Sequence, residues 1–115
     1  MALEMTVNRE GRTPVLELAG RLSDMEVVQF AVQVELLMSE GGGDLVIDIS
    51  RLTSIDSQGL GKIVTYNAKL ARQNRRLVLV NANSDPHSFV RALFTATNLD
   101  KVIRIVAGLE PDAGR

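Results

Sequence analysis

The chain contains no cysteine and no tryptophan, and only one histidine, one tyrosine and three phenylalanines. Without cysteine there is neither a disulfide nor a thiolate nucleophile, and a reducing compartment suits such a composition. His87 alone, with no thiol, leaves too few nitrogen and sulfur ligands for a zinc site. Asp44 and Asp48 flank a strand-like run and lack the spacing of a calcium loop. Scarce aromatics exclude a stacking platform for bases, so the core has to be aliphatic. No apolar run reaches the ~20 residues that span a bilayer. The opening MALEMTVNRE has neither the basic region nor the long apolar stretch of a signal peptide, and the cytoplasm is the expected location. An excess of one charge is also missing. Thirteen Lys and Arg against fourteen Asp and Glu give a net charge of -1, too balanced for a strong electrostatic hold on nucleic acid or an anionic membrane.

What is present is 115 residues, 45% of them hydrophobic, enough for one domain with an ordinary core. Met5 to Asn8 and Val15 to Leu18 read as short strands joined through NREGRTP, whose Gly11 and Pro14 suit a turn, with Ala19 and Gly20 ending the second. Ser23 or Asp24 then caps a helix, with Glu26 at capping-box spacing from Ser23. Val27, Phe30, Ala31, Val34, Leu37 and Met38 recur at helical spacing, and Gly41 to Gly43 stop the run. Leu45 to Ile49 reads as a central strand covered on both faces, with Asp48 on its more exposed side. A second amphipathic helix is predicted from Gly59 to about Gln73, with Gly61 allowing close packing on the sheet. Leu77 to Val80 is the next strand. Pro86 suits the first position of a short helix running to about Thr95 and burying Val90, Leu93 and Phe94. Val102 to Val106 is an edge-like last strand. The order β-β-α-β-α-β-α-β gives an α/β domain, with a mixed central sheet of about five strands, over residues 1–107. Residues 108–115 form a short tail with too few apolar residues to require order.

The segment LTSIDSQGLGKIV, Leu52 to Val64, joins the central strand to the second helix. Sites in α/β sheets favour this carboxyl end of the strands. Asp56 or Ser57 stands at the helix N-terminus, where a side-chain oxygen satisfies free N–H groups. Thr53 and Ser54 have local hydrogen bonding as their simplest role. A capping role explains the Asp-Ser pair; so does an exposed Ser57 that accepts phosphate, adding about -1.5 to -2 charges and three acceptor oxygens. The residues alone leave both open. No phosphate loop or dinucleotide fingerprint is present: GLGK lacks the first Gly and the following hydroxyl, and the glycines of EGGGD follow a helix. There is no GxSxG elbow, and Ser57 has no assignable base for nucleophilic catalysis. Lys69, Arg72, Arg75 and Arg76 solvate the end of the second helix and favour its dipole.

GRL at 20–22, DLVIDISRLTSIDSQGLGKIV and RALFTATNLDKVIRI at 91–105 together resemble the sulfate-transporter and anti-sigma-factor-antagonist (STAS) domain family, over residues 4 to 106. The likeness points toward its free-standing bacterial antagonists. The resemblance implies a phosphorylation-switched binding domain and not an enzyme. Its partners would be a GHKL-type serine kinase that is also an anti-sigma factor, bound while Ser57 is unphosphorylated, and a serine phosphatase that resets it. Nucleic acid and membrane are not implied, nor is any cofactor or metal, and the protein would be a monomer or weak dimer. Carried onto this chain, Ser57 is the phosphorylation site and Asp56 orients the kinase or caps the helix. Gly59 and Gly61 permit close approach of the partner. Arg21, Ser23, Asp24, Thr53, Ser54, Gln58 and Lys62 complete the partner-binding surface. Gln58 stands where many relatives have a small hydroxyl residue. Nine residues follow Val106, so the further C-terminal helix of many antagonists is not expected. A constitutive scaffold module in a stress or other signalling complex is the alternative within the same family.

Overall fold

In the computed structural model, which describes residues 3–109, the first reversal of the chain falls in the Gly11–Pro14 segment. It lets β1 (Glu4–Asn8) pair antiparallel with β2 (Val15–Leu22). Every later strand is parallel to its neighbour: β3 (Leu45–Ile55) to β2, β4 (Leu77–Val80) to β3, and β5 (Arg104–Val106) to β4. The sheet order is β1-β2-β3-β4-β5. Parallel neighbours need a crossover, and α1 (Met25–Glu40), α2 (Ser57–Arg72) and α3 (Phe89–Ala96) supply three of them. The expected order of elements and the mixed five-stranded sheet are what the structure shows. The expected C-terminal tail lies largely outside the described residues.

The three helices bury one shared core. Phe30 and Val34 of α1, Ile63 and Leu70 of α2, and Val90 and Phe94 of α3 meet alternate residues of the strands, Leu16, Leu18, Ile47 and Leu79 among them. On the other face Val46, Val78 and Val80 form a small separate cluster with Val15 and Val106. β3 is thus buried on both faces, but helices cover only one. Asp48 is half-buried, its carboxylate accepting the Ser50 N–H at 2.9 Å.

Several local expectations are corrected, among them the last strand, which begins at Arg104 and not Val102 because a 3₁₀ turn, Leu99–Lys101, precedes it. β2 does not end at Gly20; it runs to Leu22, because register shifts at Glu17/Ala19 and Gly20/Arg21 let Arg21 and Leu22 pair on with Ser54 and Ile55. Gly20 adopts φ 96° there, so its glycine marks an irregularity inside a strand and not the strand's end. β3 likewise extends six residues past Ile49, and α2 begins at Ser57, two residues before Gly59. The capping box at α1 is absent. Asp24 makes no side-chain cap bond; Glu26 and Val27 donate instead to the Ser23 and Asp24 carbonyls. Finally, α3 is capped by Ser88, whose hydroxyl accepts the Arg91 N–H. Pro86 lies in the turn before it.

Arg75, Arg76 and Lys69 do more than solvate α2. Arg75 donates to the Met38 and Gly43 carbonyls, satisfying groups left open where α1 ends. Arg76 pairs with Asp44 at 3.0 Å and Lys69 with Glu35 at 3.2 Å.

Candidate functional site

Two parallel strands, β2 and β3, finish side by side at Leu22 and Ile55 and each turns at once into a helix. One residue, Asp56, is the whole connection between β3 and α2. Its backbone N–H donates to the Leu22 carbonyl at 3.1 Å. Its carboxylate does two things. Oδ1 accepts the Gly59 N–H at 2.8 Å, capping α2, and Oδ2 accepts the Asp24 N–H at 3.1 Å, fixing the entry to α1. These N–H donors, that of Gly59 foremost, hold the Asp56 carboxyl below the ordinary carboxylate range against the opposing effect of desolvation. Asp24 needs that hold: its φ of 53° and ψ of -125° belong to the first central position of a type II′ turn, normally glycine, and the Glu26 N–H to Ser23 carbonyl bond closes that turn at 3.1 Å.

A folded-state pKa that is lowered contributes stability above the unfolded pKa and loses it as pH falls through the folded one. Asp56→Ala is expected to lose about 1–2 kcal/mol near neutral pH, the upper range for a cap, because two helix entries come loose. The advantage of the native protein over Asp56→Ala should shrink as pH drops below about 4, where the free carboxyl protonates. Urea titrations of both proteins at neutral and acid pH measure this.

Ser57 is the first residue of α2 and is exposed, as are Gln58, Gly61 and Lys62. Arg21 and Asp24 are exposed nearby, while Ser23 and Ser54 are half-buried. Arg21 stands opposite Ser54 in the ladder. Thr53 is within β3, its hydroxyl donating to the Gly20 carbonyl at 3.0 Å and closing the irregular stretch of β2. The residues picked from sequence are therefore brought to the joint carboxyl end of β2 and β3, with Thr53 set back along the strand.

The two glycines part company. Gly59 is buried. A Cβ there would stand 2.9 Å from both the Leu22 side chain and the Leu22 carbonyl oxygen and 3.0 Å from Ile55. The close approach it permits is therefore internal. Gly61 is exposed with nothing within 4 Å of such a Cβ, so it does not serve packing on the sheet as the sequence suggested. Gly61→Ala should stabilise the fold by about 0.5–1 kcal/mol through helix propensity alone, read from the denaturation midpoint.

Next to Ser57 the surface is apolar. Ser57, Gln58, Gly61 and Lys62 of α2 face Val28 and Ala31 of α1 across a cavity of about 530 Å³. A second hollow of about 470 Å³ continues it along Val28, Ala31, Val32, Glu35, Leu36, Lys62 and Tyr66. The Tyr66 hydroxyl donates weakly to the Ala31 carbonyl at 3.4 Å, and burial, then Glu35, push its pKa up to about 12. Met25, Val28, Val32 and Leu36 are 75, 61, 56 and 53% exposed. They form an outward ridge on α1 that the reading of the core-facing stripe passed over. Its signal was there: α1 is apolar on two opposite faces, which a helix with one buried side does not require.

No curated protein matches the chain. Among solved structures, the anti-sigma factor antagonist SpoIIAA in its unphosphorylated form superposes with a TM-score of 0.66 at 18% identity, covering 95% of this chain and 92% of that one. The phosphorylated form of Bacillus SpoIIAA gives a TM-score of 0.67 at 20% identity, covering 96% of each chain. An anti-sigma factor antagonist from Mycobacterium paratuberculosis gives 0.73 at 19% identity, over 97% of this chain and 91% of that one. At such identities the likeness is one of fold. The family model described as the MlaB STAS domain matches residues 5–107, nearly everything that the sheet and its three helices comprise. On that match the chain belongs to the STAS domain family.

Proposed function

We propose that this protein is an anti-sigma factor antagonist: a binding domain that holds a serine kinase/anti-sigma factor while Ser57 is unphosphorylated and releases it afterwards. The observation that carries the reading is the exposed hydroxyl of Ser57, fixed at the first position of α2 by the Asp56 cap and placed at the mouth of an apolar hollow. The kinase supplies base and magnesium. Ser57 Oγ attacks the γ-phosphorus of ATP, the Oγ–P bond forms, the bond to the β-phosphate oxygen breaks, ADP departs and the hydroxyl proton passes to the kinase's base. A phosphatase hydrolyses the phosphoserine to reset the domain.

The product phosphate need not unfold the domain, because negative charge at a helix N-terminus is favourable. It acts on the partner. A charge of about -1.5 to -2 beside an apolar docking surface must be desolvated on binding, and Asp24 and Asp56 already stand there. The related fold of SpoIIAA is known in both unphosphorylated and phosphorylated forms, which supports a switch that leaves the architecture intact.

The test is reconstitution with the kinase-type anti-sigma factors of the source organism. One of them, with ATP and magnesium, should add a single phosphate to Ser57 and none to Ser57→Ala. If every one of them binds and none transfers phosphate, the second reading gains: a constitutive STAS scaffold.

A further inference from the structure

We propose that the hollow between α1 and α2 is the seat of an amphipathic helix from the partner protein, with an acidic residue set opposite Lys62. This deepens the partner-binding reading above and rests on it for the link to Ser57.

The groove starts at Ser57 and runs past Val28, Ala31 and Val32 to Leu36 and Tyr66. Glu35 also lines the second hollow, but it is already paired with Lys69 at 3.2 Å, which leaves Lys62 as the lining charge without an ion pair among the described residues. The α1 residues that line it, Val27 to Leu36, span nine residue steps, about 14 Å or about two and a half turns of a docked helix. A helix lying in such a groove presents apolar residues at three- and four-residue spacing. The exposed valines and leucine of α1 match that repeat.

Charge selects among occupants. Lys62 lines both hollows and makes no ion pair among the described residues, so an acidic side chain is its complement. An anionic membrane is disfavoured. Helices that lie on membranes flank the apolar face with Lys and Arg, whereas α1 carries Glu26, Glu35 and Glu40 and no basic residue. A second copy is disfavoured by the same count. Two-fold pairing through α1 offers Lys62 no free acid from Glu35 or Glu40, which are already engaged with Lys69 and Arg9, and leaves only the half-buried Glu26.

The probe is a pair of synthetic helical peptides of about twelve residues, three turns, with leucines at the matching spacing. One carries glutamate and the other lysine at the position facing Lys62. NMR titration of the intact protein should show shifts at Val28, Ala31, Val32 and Leu36 with the glutamate peptide, and about tenfold weaker binding of the lysine peptide. Val32→Lys, at an exposed site that leaves folding intact, should abolish the shifts, and Lys62→Glu should reverse the preference. Absence of shifts with either peptide overturns the proposal. So does sedimentation showing self-association that Val32→Lys breaks, or binding to phosphatidylglycerol vesicles that it abolishes. If the peptide binds but Ser57→Asp leaves its affinity unchanged, the groove stands and the link to phosphorylation falls.

Discussion

Gly59→Ala is expected to destabilise the domain by about 3 kcal/mol, the upper part of the range for overpacking a filled core. The added methyl meets the Leu22 carbonyl and the Leu22 and Ile55 side chains at 2.9–3.0 Å. A flexible side chain end yields to such a contact; a backbone carbonyl does not. That carbonyl also accepts the Asp56 N–H, so moving it disturbs the same joint that the Asp56 cap secures. Three kcal/mol is a large share of the 5–15 kcal/mol of a small domain, and the melting temperature should fall by roughly 10–20 °C. Gly61→Ala, two residues along the same helix, moves it upward. Calorimetry on the two variants separates a steric demand from a general need for flexibility, since flexibility predicts loss in both.

Phosphate on Ser57 is expected to lower affinity for the kinase/anti-sigma factor by about a hundredfold, which corresponds to about 2.7 kcal/mol. Ser57→Ala should bind within a few-fold of the native protein, because a methyl group suits the apolar rim formed by Val28 and Ala31. Ser57→Asp should fall between, carrying about half the charge and no tetrahedral oxygens. Titration calorimetry of the three proteins reads the series. Equal affinity for the alanine and aspartate variants would remove charge as the switching agent. The fold of all three should be the same, since Ser57 is exposed and its change leaves the Asp56 cap in place.

The class of fold was legible because strands and helices here keep clean periods. The core side of α1 was legible at Val27, Phe30, Val34, Leu37 and Met38, with Ala31 only half-buried at its edge, and the alternation of β-β-α-β-α-β-α-β specified the sheet. Much of what the sequence hid lies at the site. Gly20 and the polar run Thr53–Ser54 look like breaks, yet a positive φ at Gly20 and the Thr53 hydroxyl on its carbonyl carry both strands onward in an irregular register. Asp56 was legible as a cap from its type and place. That its second oxygen reaches Asp24 was not, because the contact spans 32 positions and depends on two strands ending together. Gly59 and Gly61 read alike in sequence; only the packing of α2 against Leu22 tells them apart. The ridge of Met25, Val28, Val32 and Leu36 was visible as a pattern but was absorbed into a helix already explained by its buried face.

The most direct measurement is intact mass with site mapping on the protein taken from its own cells, growing and stressed, with phosphatases blocked during isolation. The account predicts a single phosphate, on Ser57, whose occupancy changes between the two conditions. No phosphate in either condition would contradict it and leave the constitutive scaffold as the better description.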